Sequence, residues 1–139
     1  MNYSIRETRP TDFDAVYNLL EKGKIPISVL NEERFRKLLE KNGDCCFVAE
    51  ADGIVVGNVF GMHDGAIRGY IGSLAVADDY RRRGIGKALV TKVLNVYKSL
   101  EIPRIFAHVE KTNDASIRLF KSLGIEPRET HYLIDNDTW

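Results

Sequence analysis

Apolar residues along this chain recur with two different periods, and the changes of period divide it into elements. Tyr3 and Ile5 alternate with polar neighbours, and with Glu7 they mark a strand. From Pro10 the period lengthens. Phe13, Val16, Leu19 and Leu20 share one side of a predicted helix, with Thr11 as its cap, Asp14 three residues on and Gly23 as its stop. Ile25-Pro26-Ile27 is extended, because the residue before a proline is driven out of helical space. Asn31 caps a second helix carrying Glu32 and Glu33 in its first turn and Phe35, Leu38 and Leu39 on its apolar side; Asn42-Gly43 ends it. Cys45 to Ala51 and Ile54 to Met62 are β-rich runs joined by Asp52-Gly53, and Asp64-Gly65 repeats that turn before a third run, Ile67 to Val76. This predicts a three-stranded antiparallel meander.

The helical period returns from Gly84 to about Leu100, with Ile85, Leu89, Val93, Val96 and Leu100 on one side. Pro103 bars further helix. Ile105 to Val109 then alternates Ile105, Ala107 and Val109 with Phe106, His108 and Glu110, as a strand does. A strand–helix–strand unit crosses over right-handed, so its two strands are expected to be parallel. Thr112-Asn113-Asp114 caps a last helix bearing Leu119, Phe120 and Leu123 and closed by Gly124. Glu129 to Ile134 has room for one or two short strands.

Composition narrows the class. The 139 residues suit one domain, 1–139, with a sizeable core. Twenty basic and twenty acidic residues cancel, so no global field draws the protein to nucleic acid or to an anionic membrane. No stretch approaches the roughly 20 apolar residues of a membrane span, and the opening seven residues hold no apolar run of the signal-peptide kind. Cys45 and Cys46 are adjacent, a poor disulfide pair, which makes a reducing, cytoplasmic setting the expectation.

The chemistry concentrates in Ser73-Leu74-Ala75-Val76-Ala77-Asp78-Asp79-Tyr80-Arg81-Arg82-Arg83-Gly84-Ile85-Gly86-Lys87. A strand ends here, a basic turn follows and a helix begins. The first amides of a helix have no intrahelical partners and carry a partial positive charge. Two glycines let a ligand approach the backbone, and three arginines add charge, so the stretch suits a pyrophosphate. It is not a Walker A loop, because Arg81 stands at the first glycine position and Ala88 follows the lysine. Nor is it a dinucleotide fingerprint, which needs glycine where Leu89 stands. Arg81-x-x-Gly84-x-Gly86 after an apolar strand resembles the pyrophosphate signature of the GCN5-related N-acetyltransferase (GNAT) family. Asn113-Asp114-Ala115-Ser116-Ile117-Arg118-Leu119-Phe120-Lys121-Ser122-Leu123-Gly124-Ile125 is similar to that family's Asn-x-x-Ala-x-x-Phe-Tyr-x-x-x-Gly-Phe segment, and the order of elements matches over nearly the full length.

The resemblance implies an α/β (α+β) fold with a mixed central sheet of six to seven strands and about four helices on both faces. It implies an N-acetyltransferase that moves the acetyl group of acetyl-coenzyme A directly to a primary amine of a small molecule, polyamine, peptide or protein. Backbone groups of Leu74, Ala75 and Val76 would line the pantetheine arm, beside a bulge that splays the strand from Ile105 to Val109. The Leu74 N–H would serve as oxyanion donor. Arg81, Arg82, Arg83, Gly84, Ile85, Gly86 and Lys87 would hold the pyrophosphate, and Asn113, Ser116 and Phe120 would complete the cofactor site. No metal is implied, and a homodimer is among the arrangements found in similar proteins.

Acetyl transfer needs a neutral amine. A lysine amine of pKa about 10.4 is neutral about once in 2,500 at pH 7, a deficit of about 4.6 kcal/mol; an α-amine near 8 faces about 1.4 kcal/mol. Relatives carry a base on the strand before the loop, but Tyr70-Ile71-Gly72-Ser73 offers no carboxylate. Protein N-terminal acetyltransferases place an acid five residues before the Asn, where this chain has His108, with Glu110 on the same face. His63 and His131 are weaker candidates. The family's general-acid Tyr is Phe120 here, which leaves Tyr70, Tyr97, Tyr132 or water to protonate the leaving thiolate. A cysteine route through Cys45 or Cys46 lacks a local base. Acceptor specificity is expected from Gly23 to Leu30, made apolar by Ile25, Ile27, Val29 and Leu30, and from acids such as Asp64, Glu110, Glu129 and Asp135. The missing Tyr and strand carboxylate also suit a catalytically weak acyl-coenzyme A-binding or sensing domain.

Overall fold

A computed structural model describes residues 2–128. The chain divides into two compact units, Met1–His108 and Val109–Trp139. The first holds β1 (Ser4–Glu7), α1 (Phe13–Lys22), α2 (Glu32–Asn42), β2 (Phe47–Ala51), β3 (Ile54–His63), β4 (Arg68–Val76), α3 (Ile85–Ser99) and β5 (Arg104–Ala107). The second holds α4 (Asp114–Ser122).

The strands form one mixed sheet in the order β1-β2-β3-β4-β5. β1 to β4 pair antiparallel and β5 pairs parallel to β4, as the crossover rule requires. Five strands are found among the described residues, fewer than six to seven; the terminal strands expected at Glu129 to Ile134 lie outside those residues.

Two layers of helix cover the sheet of the first unit. On one face Val16, Leu19 and Leu20 of α1 and Phe35 of α2 pack with Cys46, Val48, Phe60 and Ala75. Phe35 stands edge-on to both Phe13 and Phe60. Ile25, Ile27 and Leu30 also pack against this core, leaving Val29 exposed. The apolar edge expected from Gly23 to Leu30 is therefore mostly turned inward, because Ile25, Ile27 and Leu30 gain more in the core than in water.

On the other face α3 buries Ile85, Leu89, Val90, Val93 and Tyr97. Its apolar ridge runs in steps of four from Ile85 to Tyr97 instead of turning to Val96 and Leu100, and Leu100 is exposed. The strands beneath are cut back to admit it. A Cβ on Gly69 would meet the Tyr97 ring at 2.6 Å, and one on Gly61 would lie 2.9 Å from the Tyr97 hydroxyl.

Three boundaries moved from the sequence reading. Thr11 does not cap α1. Asp12, gripped by Arg6 at 2.8 and 2.9 Å, accepts the Arg9 N–H at 2.7 Å, so Pro10–Asp12 forms a 3₁₀ turn ahead of the helix. β2 starts at Phe47, since Gly43–Cys45 is a second such turn. β5 ends at Ala107, so His108 and Val109 lie beyond it.

Candidate active site

The two halves of β4 have different neighbours. Arg68 to Ile71 pair with Arg104 to Ala107 of β5, and there the parallel ladder ends. From Gly72 onward, among the described residues, β4 pairs with β3 alone. Its register with β3 shifts as well: between the pairs Phe60–Gly72 and Asn58–Ala75, β3 advances two residues while β4 advances three. That is a β-bulge, and Ser73 lies in it with φ +51, in left-handed space that few non-glycine residues adopt. Leu74, Ala75 and Val76 thus form a strand end with no partner in β5, the splay expected for a pantetheine site. Asn58, fully buried, donates from Nδ2 to the Ser73 carbonyl at 3.0 Å, while its Oδ1 has no partner among the described residues. Sequence reasoning passed over Asn58. Its one signal was a strand-averse Asn inside an apolar run.

After β4 a 3₁₀ turn at Asp78–Tyr80 carries the chain into the basic loop. Arg81 ties that loop down: its Nε donates to the Val76 carbonyl at 3.3 Å, and its guanidinium pairs with Asp78 at 3.3 Å. Arg82 is exposed at φ +62, and Arg83 lies 5.6 Å over the Tyr80 ring. Gly84, at φ +80, is the residue before α3; no side chain caps the helix and its first turn holds no acid. The first helical bond runs from the Ala88 N–H to the Gly84 carbonyl, so the Ile85, Gly86 and Lys87 amides precede it. Open amides, a dipole terminus and cations meet at one point, and such a site binds oxyanions.

His108 stands exposed one residue past β5. Met62, Tyr70 and Phe106 form a row across three adjacent strands. Tyr70 and Phe106 stack at 5.5 Å, and all three are about two-fifths exposed. In the second unit Asn113 caps α4, its side chain accepting the Ser116 N–H at 3.1 Å, and its own amide donates to the Glu110 carbonyl at 2.9 Å. Phe120 is buried and Ser116 half-buried. Tyr132 and His131 lie outside the described residues.

Several other candidates have structural duties. Tyr97 is fully buried, its hydroxyl donating between the carbonyls of Tyr70 at 2.6 Å and Met62 at 3.1 Å; burial pushes its pKa far up, so it is no acid catalyst. Cys45 and Cys46 are buried, and Cys45 is pushed up by its hydrogen bond with Cys46 and by burial, so it supplies no thiolate. Asp64 takes the amides of Ala66, Ile67 and Arg68 within 3.0 Å, and these bonds lower its pKa to about 2. Its charge belongs to the β3–β4 turn. Asp44, Cys45 and His63 bring possible metal-ligand atoms within 4.8 Å of one another. However, His63 Nδ1 accepts the Gly65 N–H, which places the ring proton on Nε2, toward Asp44 at 3.3 Å. That ring presents no lone pair to a metal.

Comparison with known proteins agrees with this geometry. An acetyltransferase of Pectobacterium atrosepticum is 34% identical over 124 residues, 88% of this chain and 86% of the relative. One from Sodalis glossinidius is 33% identical over 132 residues, 94% of this chain and 92% of the relative. Among solved structures, Ard1 of Thermoplasma volcanium superposes with a TM-score of 0.79 at 25% identity, covering 89% of this chain and 82% of that one. An aminoglycoside acetyltransferase from an uncultured soil metagenomic sample, in complex with sisomicin, shares the fold with a TM-score of 0.75 at 23% identity, covering 97% of each chain. Residues 13–125 match the acetyltransferase (GNAT) family. With a bulged strand leading into an uncapped, basic helix mouth, the chain belongs to that family.

Proposed function

We propose that this protein transfers the acetyl group of acetyl-coenzyme A directly to a primary amine. The observation that carries the reading is the uncapped mouth of α3 set directly after the bulged end of β4, which pairs with β3 but not with β5. These features fit the two ends of the cofactor: amides of Ile85, Gly86 and Lys87 for the pyrophosphate, and backbone of Leu74, Ala75 and Val76 for the pantetheine. When bound, acetyl-coenzyme A supplies the activated acyl group. The amine nitrogen bonds to the acetyl carbon, the carbon–sulfur bond breaks, and the amine gives up a proton. Leu74 N–H stabilises the charge that develops on the carbonyl oxygen. His108, exposed one residue past β5, takes the proton, and Glu110 is the second candidate base. By the family resemblance Asn113 and Ser116 would assist cofactor binding, and Phe120 stands at the sequence position of the family's general acid.

A second reading, an acyl-coenzyme A-binding or sensing domain, is favoured by Phe120, which cannot protonate a thiolate. Free-thiol release from acetyl-coenzyme A separates the two when run against polyamines, aminoglycosides, amino acids and peptides with free N-termini, beside a thermal shift with acetyl-coenzyme A alone. Release with one amine class supports the enzyme, and His108→Ala should then lower kcat by about 10²-fold, the low end of acid–base assistance. Stabilisation without release supports the sensor. No stabilisation removes both readings. If the transferase reading holds, Phe120→Tyr should raise turnover; an unchanged rate with intact cofactor binding would show that no acid is needed.

A further inference from the structure

We infer that Asn58 is a positioning residue for acyl transfer: its side-chain amide clamps the Ser73 carbonyl and so aims the Leu74 N–H into the opening beside β4. The inference rests on the reading of Leu74 as oxyanion donor and adds how that donor is held. The peptide joining Ser73 to Leu74 is planar and trans, so its C=O and N–H point in opposite directions. Asn58 lies on β3, and its Nδ2 meets the Ser73 oxygen at 3.0 Å. Drawing that carbonyl toward β3 turns the Leu74 N–H away from β3, to the side where β5 has left the ladder.

The orientation of the Asn58 amide follows from chemistry. A carbonyl only accepts, so the NH₂ end must face Ser73. This places Oδ1 in a fully buried position without a partner among the described residues. A side chain buried with half of its hydrogen-bonding capacity unused is a poor stabiliser, and the neighbouring interior positions of β3 hold Val56 and Val59. Stability therefore does not account for an amide at position 58, whereas geometry does. An extra strand residue leaves backbone groups without ladder partners, and Nδ2 takes the place of the missing donor. Without it, Ser73 has no reason to remain at φ +51, and relaxation toward ordinary β geometry would swing the Leu74 amide with it.

The test compares wild type with Asn58→Leu and Asn58→Val by infrared difference spectroscopy of bound acetyl-coenzyme A, ¹³C-labelled at the thioester carbonyl. Acetyl-coenzyme A titration and thermal unfolding accompany the spectra, and turnover is measured with the fastest amine of the panel. Wild type is expected to lower the carbonyl stretch, as a hydrogen bond to the oxygen does. The variants should lose most of that lowering and about 10- to 100-fold in kcat, somewhat less than deletion of an oxyanion donor costs, with acetyl-coenzyme A affinity unchanged. A wild-type stretch and rate in a folded variant overturns the role of Asn58 while Leu74 keeps its own. No lowering in wild type overturns both. Loss of folding or of acetyl-coenzyme A binding in both variants makes Asn58 a structural residue and also overturns the inference.

Discussion

The N-termini of α2 and α3 face the same physical problem and treat it in opposite ways. Each presents amides that precede the first helical hydrogen bond. At α2 the mouth is closed: Asn31 accepts the Arg34 N–H at 2.9 Å, and Glu32 and Glu33 set carboxylates at the positive end of the dipole. At the 15-residue α3 the mouth is open: Gly84 has no side chain to cap with, no acid stands in the first turn, and Arg81, Arg82 and Arg83 precede it. Arg82 even adopts left-handed φ at +62, where glycine would be at ease. A closed mouth supports the fold. An open one forgoes local stability and suits an anion that supplies the missing partners. The start of α1 is closed by charge: no side chain caps it, but Asp12 is its N-cap residue and Asp14 stands in its first turn. The Asp12 carboxylate, held by Arg6, takes the Arg9 amide at the entry turn.

Opening a closed mouth should have the largest effect on stability. Asp12→Ala removes the acceptor of two Arg6 nitrogens and of the Arg9 amide, and is expected to cost about 2–3 kcal/mol by denaturant unfolding, discounted from a fully buried pair because both side chains keep some exposure. Burial by itself would raise the Asp12 pKa, but hydrogen bonds from Arg6 and the Arg9 amide outweigh it and hold the carboxyl below its ordinary value. A carboxyl depressed in the folded state contributes fully above its unfolded pKa, about 4, and progressively less as pH falls toward the folded value. Wild type should therefore lose stability more steeply than Asp12→Ala below about pH 4. Parallel slopes would mean that the pair contributes nothing.

Closing the open mouth should act on ligand binding instead. Lys87→Glu places a carboxylate in the first turn of α3 and should weaken acetyl-coenzyme A by on the order of 30- to 100-fold by calorimetry, with unfolding stability unchanged or slightly raised. The mirror change at α2, Glu33→Lys, should cost about 0.5 kcal/mol of stability and leave that affinity alone. Equal affinity in both variants would erase the distinction between the mouths. Asn31→Ala should cost about 1 kcal/mol of stability, the usual value of an N-cap, again with acetyl-coenzyme A binding untouched. The smallest expected effect is Arg82→Gly. Relief of left-handed strain, partly offset by glycine's greater unfolded freedom, should stabilise the free protein by about 0.5 kcal/mol, while loss of the cation weakens the cofactor. A destabilised Arg82→Gly would show that the loop does not strain that residue.

Much of this was legible before any coordinates. The Asn31 and Asn113 caps, the Asp-Gly turns, the parallel crossover and the contiguous loop from Arg81 to Lys87 all occur where the sequence places them. Other residues took roles from distant partners. Thr11 lost the cap position to Asp12, whose carboxylate is held by Arg6 of β1. Tyr97 was a candidate acid until Gly61 and Gly69 opened the sheet to its ring and two carbonyls received its hydroxyl. Ile25, Ile27 and Leu30 suggested an apolar edge and instead join the core around Phe60.

By itself, the sequence determined the order of elements, their caps and turns, and the basic glycine loop that marks the family. Each of these is settled by bonds among residues a few positions apart, and such bonds form in the same way wherever the segment lies. The resemblance implied a bulge and a splay beside Leu74 to Val76; only the tertiary structure placed the bulge at Ser73, added the clamp from Asn58 and set Ile71 as the last β4 residue paired with β5. Those depend on the register between strands, and register is set by the sum of many side-chain contacts across the sheet, which no single stretch of sequence contains.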